Sequence, residues 1–221
     1  MHRIALIHAT PVAIAPVEHA FRDLWPEVDR FNLLDDSLSG DRECAGDLTP
    51  ELRARIGTLA DYALTAGADA ILFTCSAFGP AIERVAERLP MPVLKPNQAM
   101  FERALEAGDR IGMLATFGPS VASMTAEFDA LASKLGRPAH LETRLVEGAM
   151  AALRSGDGAE HDRLIGALAQ ELSDCDAILL AHFSTARARA AVEAGIDCPV
   201  LSSPESAVRA LQRAMAAGPR P

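Results

Sequence analysis

Apolar and polar positions along this chain fall into two rhythms that take turns. Short continuous apolar runs, as a strand buried on both faces requires, are separated by longer stretches in which apolar residues recur every three or four positions, as on one face of a helix. Arg3 to His8 is the first run and Ala9-Thr10-Pro11 closes it; Ala15 to Leu24 then carries helical spacing until Trp25-Pro26 stops it. Val28 to Leu34 is the second strand. Asp35 to Thr49 is polar, holds S-L-S-G-D-R and Gly46, and is expected to be a long mobile loop over the ligand edge; such loops are functional lids or disordered. Thr49-Pro50 supplies an N-cap and a first-turn proline for a helix running through Ala66 and closed by Gly67. The apolar run Ala70 to Phe73 follows, then a helix from Gly79-Pro80 to Arg88, then a short strand at Pro92 to Leu94.

From that point the chain repeats itself at a constant offset of 107 residues. R-I-A-L-I at Arg3 lines up with R-I-G-M-L at Arg110, D-A-I-L-F-T-C at Asp69 with D-A-I-L-L-A-H at Asp176, and Pro92-Val93-Leu94 with Pro199-Val200-Leu201. One offset holding at both ends and in the middle means two copies of one unit, and alternating strands and helices identify that unit as a βα fold with a parallel sheet. The expected fold is therefore α/β, two pseudo-symmetric Rossmann-like lobes, each a parallel sheet flanked by helices. Residues 1–95 with 202–221 form the first lobe and 96–201 the second. Within the second copy, Val121 to Leu135 reads as a helix and Pro138 to Leu145 as a strand. Glu147 to Leu153 and Glu160 to Leu172 read as helices separated by S-G-D-G, with His161 and Asp162 capping and solvated at the start of the latter. Pro204 to Met215 reads as the last helix, after which A-A-G-P-R-P frays.

The chemistry gathers where the strands end. In D-A-I-L-F-T-C-S-A-F-G-P, Cys75 stands at the carboxyl end of an apolar strand just before a helix start. Ligands of open parallel sheets bind along that edge, and the unpaired N–H groups and positive dipole of a helix N-terminus favour a thiolate and an anionic ligand. The alternative is a buried structural cysteine. The repeat puts His182 at the corresponding place in the second copy, within A-H-F-S-T-A-R, where Ser184 and Thr185 are N-cap candidates as Ser76 is in the first. Two symmetric lobes facing one another would set Cys75 and His182 on opposite sides of one cleft, with Thr10-Pro11 and Thr116-Phe117 as its floor and walls. His8, Asp35 and Asp36 lie near this edge without a spacing that assigns them a role.

Composition narrows the classes of function. A net charge of −9 with no Lys/Arg cluster argues against nucleic acid. The N-terminal residues lack a signal-peptide arrangement and no apolar run reaches the length of a membrane span, so a cytoplasmic protein with no membrane association is expected. Cys44, Cys75, Cys175 and Cys198 form no C-x-x-C pair and are expected to be reduced thiols; the histidines are scattered, with no metal-ligand spacing.

The R-I-A-L-I opening with its Thr-Pro turn, the I-L-F-T-C-S strand end, R-I-G-M-L-A-T and A-I-L-L-A-H-F-S together resemble the aspartate/glutamate racemase superfamily, which also holds hydantoin racemases, maleate isomerases and arylmalonate decarboxylases. The resemblance implies two Rossmann-like lobes with the active site between them, no cofactor, a small carboxylate substrate and a possible homodimer. In such racemases a cysteine at each of two symmetric positions serves one face of the substrate. Cys75 matches the first position; His182 occupies the second, a departure from the family pattern. The resemblance further implies substrate binding by Thr10, Pro11, Ser76, Ala77, Thr116, Phe117, Phe183 and Ser184.

The leading expectation is thus a cofactor-independent racemase or isomerase of an amino acid or related acid, by proton transfer between Cys75 and His182. A decarboxylase or lyase forming an enolate on the same scaffold needs protonation from one face only. A Cys/His hydrolase would want the imidazole within hydrogen-bond reach of the thiol. A non-catalytic small-acid binding protein is the remaining class.

Overall fold

The structure, a computed structural model, describes residues 2–217. The chain divides into two compact units, Met1–Pro96 with Ala207–Pro221, and Asn97–Ser206. The end of the tail expected to fray, residues 218–221, lies outside the described residues.

In the first unit β1 (Arg3–His8), β2 (Asp29–Leu34), β3 (Ala70–Phe73) and β4 (Val93–Leu94) form one parallel sheet in the order β2-β1-β3-β4. Its helices are α1 (Ile14–Leu24), α2 (Leu38–Ala45), α3 (Pro50–Thr65) and α4 (Gly79–Arg88). Successive strand residues point to opposite faces, so Ala5, Ile7, Ile71 and Phe73 share one face. There they pack with Leu52, Ile56 and Ala60 of α3 and Ile82 and Val85 of α4. Thr49 caps α3 by accepting from the Leu52 N–H, and Gly67 takes the left-handed conformation that ends it, at φ 78°.

The second unit repeats the plan. β5 (Arg110–Ala115), β6 (His140–Leu145), β7 (Ala177–Leu180) and β8 (Val200–Ser202) pair in the order β6-β5-β7-β8, all parallel. The offset seen in the sequence is also the offset of the pairing: Ile4 opposes Ala70 and Ile111 opposes Ala177, Ile71 opposes Val93 and Ile178 opposes Val200. One sheet face, with Ile111, Met113, Ala177 and Leu179, is covered by α5 (Gln98–Ala107) and α6 (Val121–Lys134). The other, with Leu114, Ile178 and Leu180, is covered by α7 (Ala149–Arg154), α8 (Gly158–Ala169) and α9 (Arg189–Glu193). The last helix, α10 (Ser203–Ala216), spans the division between the units. The α/β expectation, with two parallel sheets flanked by helices, is met. Among the described residues no helix is long and apolar enough to cross a membrane.

Two stretches differ from the pattern expected of the sequence. Asp35–Thr49 is not a continuous loop, because α2 occupies its middle; one fully buried side chain, Leu38, anchors it to the core. The guanidinium of Arg55 on α3 holds its start through Asp35, Ser37 and Asp41. A single buried apolar residue in an eight-residue helix leaves no periodicity to read. By contrast α5, absent from the expected elements, buries Ala99, Met100, Phe101, Ala104 and Leu105, a spacing that is plain in the sequence.

Candidate active site

In the first unit the chain leaves β3 through Thr74 and Cys75 into a 3-10 turn, Ser76–Phe78, that runs directly into α4. Cys75 is itself the N-cap of that turn, in extended conformation, so Ser76 is not a cap; Ser76 and Ala77 are buried in the turn. The thiol is half-buried against the core. Burial pushes it above the ordinary thiol range, opposed by the Ala77 N–H, the Ser39 hydroxyl and the charge of Arg42. The thiolate expected from the helix N-terminus is therefore not the resting state: desolvation outweighs the donors. The Ala77 N–H and the Arg42 charge would nevertheless favour a thiolate once formed, and the Ser39 hydroxyl could join them by turning from the Ala9 carbonyl. Ser39 and Arg42 both belong to α2, and Ser39 is tied to the end of β1 by its N–H at 3.3 Å and its hydroxyl at 2.7 Å from the Ala9 carbonyl. Nε of Arg42 is buried without a hydrogen-bond partner. Thr10 caps the short turn Pro11–Ala13 in extended conformation without a side-chain cap bond, and Pro11 is exposed.

In the second unit His182 ends the excursion from β7 and is the N-cap of the 3-10 turn Phe183–Ala188. The cap is closed by Thr185, which receives the His182 N–H at 3.1 Å and donates its hydroxyl to the His182 carbonyl at 2.6 Å; Ser184 is not the cap. Both ring nitrogens are engaged. Nδ1 accepts from the Thr116 N–H at 3.2 Å, with the Thr116 hydroxyl at 3.3 Å, and Nε2 lies 2.8 Å from the Ser120 hydroxyl. An N–H donor at Nδ1 requires that nitrogen to be bare, so the proton is on Nε2 and donates to Ser120, whose own hydroxyl proton goes to the Phe117 carbonyl at 2.9 Å. The Phe117 ring meets the imidazole edge-on, centroids 6.5 Å apart. Burial holds His182 neutral, with a pKa lowered to about 4. Thr116, Phe117 and His182 are thus brought together, while the Phe183 side chain is buried and Ser184 is 3% exposed.

His161 departs from expectation. Asp157, not His161 or Asp162, caps α8, and His161 is fully buried in the stripe it shares with Ile165 and Ala169, its Nδ1 2.7 Å from Asp162. Four residues with a bearing on the site carry no signal at the sequence level: Ser39 and Arg42, hidden in the supposed loop, Ser120, and Thr74. Among the described residues no group of three or more His, Cys, Asp or Glu side chains is arranged to hold a metal ion.

Residues 42–118, the stretch that carries Cys75 and Thr116, match the family model described as Asp/Glu/Hydantoin racemase. The chain resembles that racemase family. Solved structures extend the likeness in fold to nearly the whole chain. Glutamate racemase isoform RacE1 from Bacillus anthracis superposes with a TM-score of 0.76 at 15% identity, over 98% of this chain and 83% of that one. Allantoin racemase from Klebsiella pneumoniae gives 0.74 at 16%, over 99% and 89%. A double mutant of arylmalonate decarboxylase in a liganded form gives 0.64 at 22%, over 100% and 96%. At these identities the racemase likeness establishes a common fold. No curated protein sequence matches the chain.

Proposed function

We propose that this chain is a cofactor-independent racemase or isomerase of a small carboxylate, an amino acid or related acid, in which Cys75 moves the proton next to the carboxylate. The observation that carries the reading is the equivalence of Cys75 and His182: each stands two residues beyond the last residue of the third strand in its own sheet, at the same register position of a repeated topology. The match to the racemase family model over the Cys75 segment supports it. Arg42 suits an anionic substrate, since its buried Nε lacks an internal partner and its charge already acts on the Cys75 sulfur. We assign Thr10, Pro11, Ser76 and Ala77 in the first unit, and Thr116, Phe117, Phe183 and Ser184 in the second, to the lining of the substrate's surroundings. In the two-base form Cys75 and His182 serve opposite faces of one carbon.

A second reading has its own support. His182 has both ring nitrogens hydrogen-bonded within its unit and a pKa of about 4, so at pH 7 about one molecule in a thousand carries the imidazolium that would donate a proton. Proton delivery from Cys75 alone then suffices for a decarboxylase or lyase that forms an enolate. Incubation in deuterated water with a panel of amino acids, hydroxy acids and malonates separates the classes. Deuterium entering the α-position of both enantiomers supports racemisation, and deuterium in one product enantiomer with loss of carbon dioxide supports decarboxylation. No exchange with any acid, beside tight binding of one, would return the protein to the class of small-acid binders.

A further inference from the structure

Behind Cys75 the first unit holds a line of hydrogen bonds that runs from the surface at Glu18 to the buried His8 and Thr74, and its directions can be worked out one after another. Glu18 on α1 accepts from Nε of Arg30 at 2.7 Å and from the amide nitrogen of Asn32 at 3.0 Å. A carboxylate can only accept, so the Asn32 amide must turn its nitrogen to Glu18 and its oxygen to His8, 2.8 Å from Nε2. An amide oxygen can only accept as well, which places the imidazole proton on Nε2 and leaves Nδ1 bare. Nδ1 is 2.8 Å from the Thr74 hydroxyl, which must therefore be the donor; the Ile7 carbonyl, at 3.3 Å from the same hydroxyl, is its longer and weaker acceptor. His8 is 0% exposed, and burial lowers its pKa against the opposing pull of Asn32 and Glu18, so the ring stays neutral and keeps this polarity. A surface carboxylate and arginine thus fix the tautomer of a buried ring, and the ring fixes Thr74, the residue immediately before Cys75.

The second unit supplies the contrast. At the same offset, Ala115 stands where His8 stands and Ala181 where Thr74 stands, so neither ring nor hydroxyl is present there. The backbone contact survives: Thr74 N–H reaches the Ile7 carbonyl at 3.0 Å and Ala181 N–H the Leu114 carbonyl at 3.1 Å. In that unit the strand-end residue is anchored through its own ring, to Thr116 and Ser120. In the first unit the anchor sits one residue earlier and leaves the sulfur to Ser39, the Ala77 N–H and Arg42.

We propose that His8 is a positioning residue for Cys75, holding the Thr74 hydroxyl through Nδ1 so that the sulfur stays in register with Ser39, the Ala77 N–H and Arg42. The inference rests on the reading of Cys75 as the reactive group but acts on a property of the thiol measurable without substrate. His8 touches no reacting atom in this role, and its ring nitrogens are spent on Thr74 and Asn32.

Two substitutions divide the ring's functions. In His8→Asn a side-chain oxygen stands near the site of Nδ1 and can still receive the Thr74 hydroxyl, while the link to Asn32 is lost. In His8→Gln the amide reaches toward Asn32 and the short Nδ1 acceptor is lost, leaving the Thr74 hydroxyl only the Ile7 carbonyl at 3.3 Å, one residue back along β1. The rate of Cys75 alkylation by iodoacetamide, followed against pH by peptide mass, is the readout. His8→Gln should raise the midpoint of that profile by about one pH unit, a roughly tenfold slower reaction at fixed lower pH. His8→Asn should leave it within about 0.3 unit, although both variants lose stability. Should His8→Gln fail to fold, Thr74→Val, which removes the hydroxyl and keeps the shape, is expected to give the same rise. Equal shifts in His8→Asn and His8→Gln, or no shift in Thr74→Val, would overturn the proposal. If the midpoint moves as expected yet no acid exchanges deuterium with the wild-type protein, positioning stands and the catalytic reading falls. If an acid does exchange and the midpoint stays unmoved, the catalytic reading stands and His8 has no positioning role.

Discussion

The Nε2 of His182 lies 2.8 Å from the Ser120 hydroxyl, and that hydroxyl is itself committed to the Phe117 carbonyl, so the imidazole faces a partner that can only accept. With the Thr116 N–H on the other nitrogen, His182 is held as one neutral tautomer. A nitrogen-15 NMR titration should find Nε2 protonated at pH 7 and a pKa of about 4. A pKa near 6.5 or a mixture of tautomers would contradict the locked ring.

The same lowering has a consequence for stability. The unfolded chain takes up its proton near pH 6.5 and the folded one only near 4, so above pH 6.5 His182 contributes no penalty, and stability falls as pH drops from about 6.5 to about 4. Because the residue is half-buried, the loss is on the order of 1–3 kcal/mol rather than the full value of the shift. His8, also lowered by burial, adds in the same direction. Urea denaturation of the wild type and His182→Gln at pH 7 and pH 4.5 checks this. The variant should lose less stability between the two pH values.

The parallel α/β plan in two copies was legible because β1, β3 and β4 recur as apolar runs at one offset in β5, β7 and β8, and a buried parallel strand leaves that mark whatever surrounds it; the order of the strands was not. The matched placement of Cys75 and His182, each just beyond the end of such a run, was legible for the same reason. What the sequence did not disclose are side-chain choices made by long-range contacts. Ser39 and Arg42 come beside Cys75 only because α2 folds back on the end of β1, and one buried leucine, Leu38, does not announce a helix. The caps were misplaced for a related reason: Cys75 and His182 take the extended cap conformation usually held by serine or threonine, leaving Ser76 and Ser184 inside the turns.

Leu38 tests whether α2 is an ordered part of the core. It is fully buried, so Leu38→Ala should cost about 2–4 kcal/mol, measured by chemical denaturation, whereas the same change in a mobile loop would cost less than about 0.5 kcal/mol. The variant should also slow Cys75 alkylation at neutral pH, because Ser39 and Arg42 travel with α2.

Arg42 can be separated from the helix that carries it. In Arg42→Met the aliphatic bulk remains and the charge goes, so burial of Cys75 acts unopposed by that charge and its alkylation midpoint should rise. Turnover of any acid found to be a substrate should then need a higher concentration, with KM raised about tenfold or more, the loss of one charge-assisted contact to a carboxylate. An unchanged KM would remove Arg42 from the substrate's surroundings.

His182 decides between two-sided and one-sided chemistry. Cys75→Ser should abolish turnover under either reading, since the hydroxyl of serine does not ionise in the range where a thiol does: in racemisation the proton next to the carboxylate then has no acceptor, and in decarboxylation the enolate has no matched proton donor. His182→Ala separates them. If His182 serves the second face, the variant should lose racemisation by a factor of about 10²–10⁴, the usual worth of a positioned acid or base. If Cys75 works alone, the variant should keep one-way turnover within a few fold and lose only stability, as Thr116 and Ser120 are left without the ring. His182→Cys carries the test further by offering a thiol in place of an imidazole that is scarcely protonated at neutral pH. It should raise two-way exchange relative to any one-way reaction, read as the ratio of deuterium incorporated into the two enantiomers. Should His182→Ala turn over unchanged and His182→Cys gain nothing, the two-base mechanism is wrong and the enolate-forming reading replaces it.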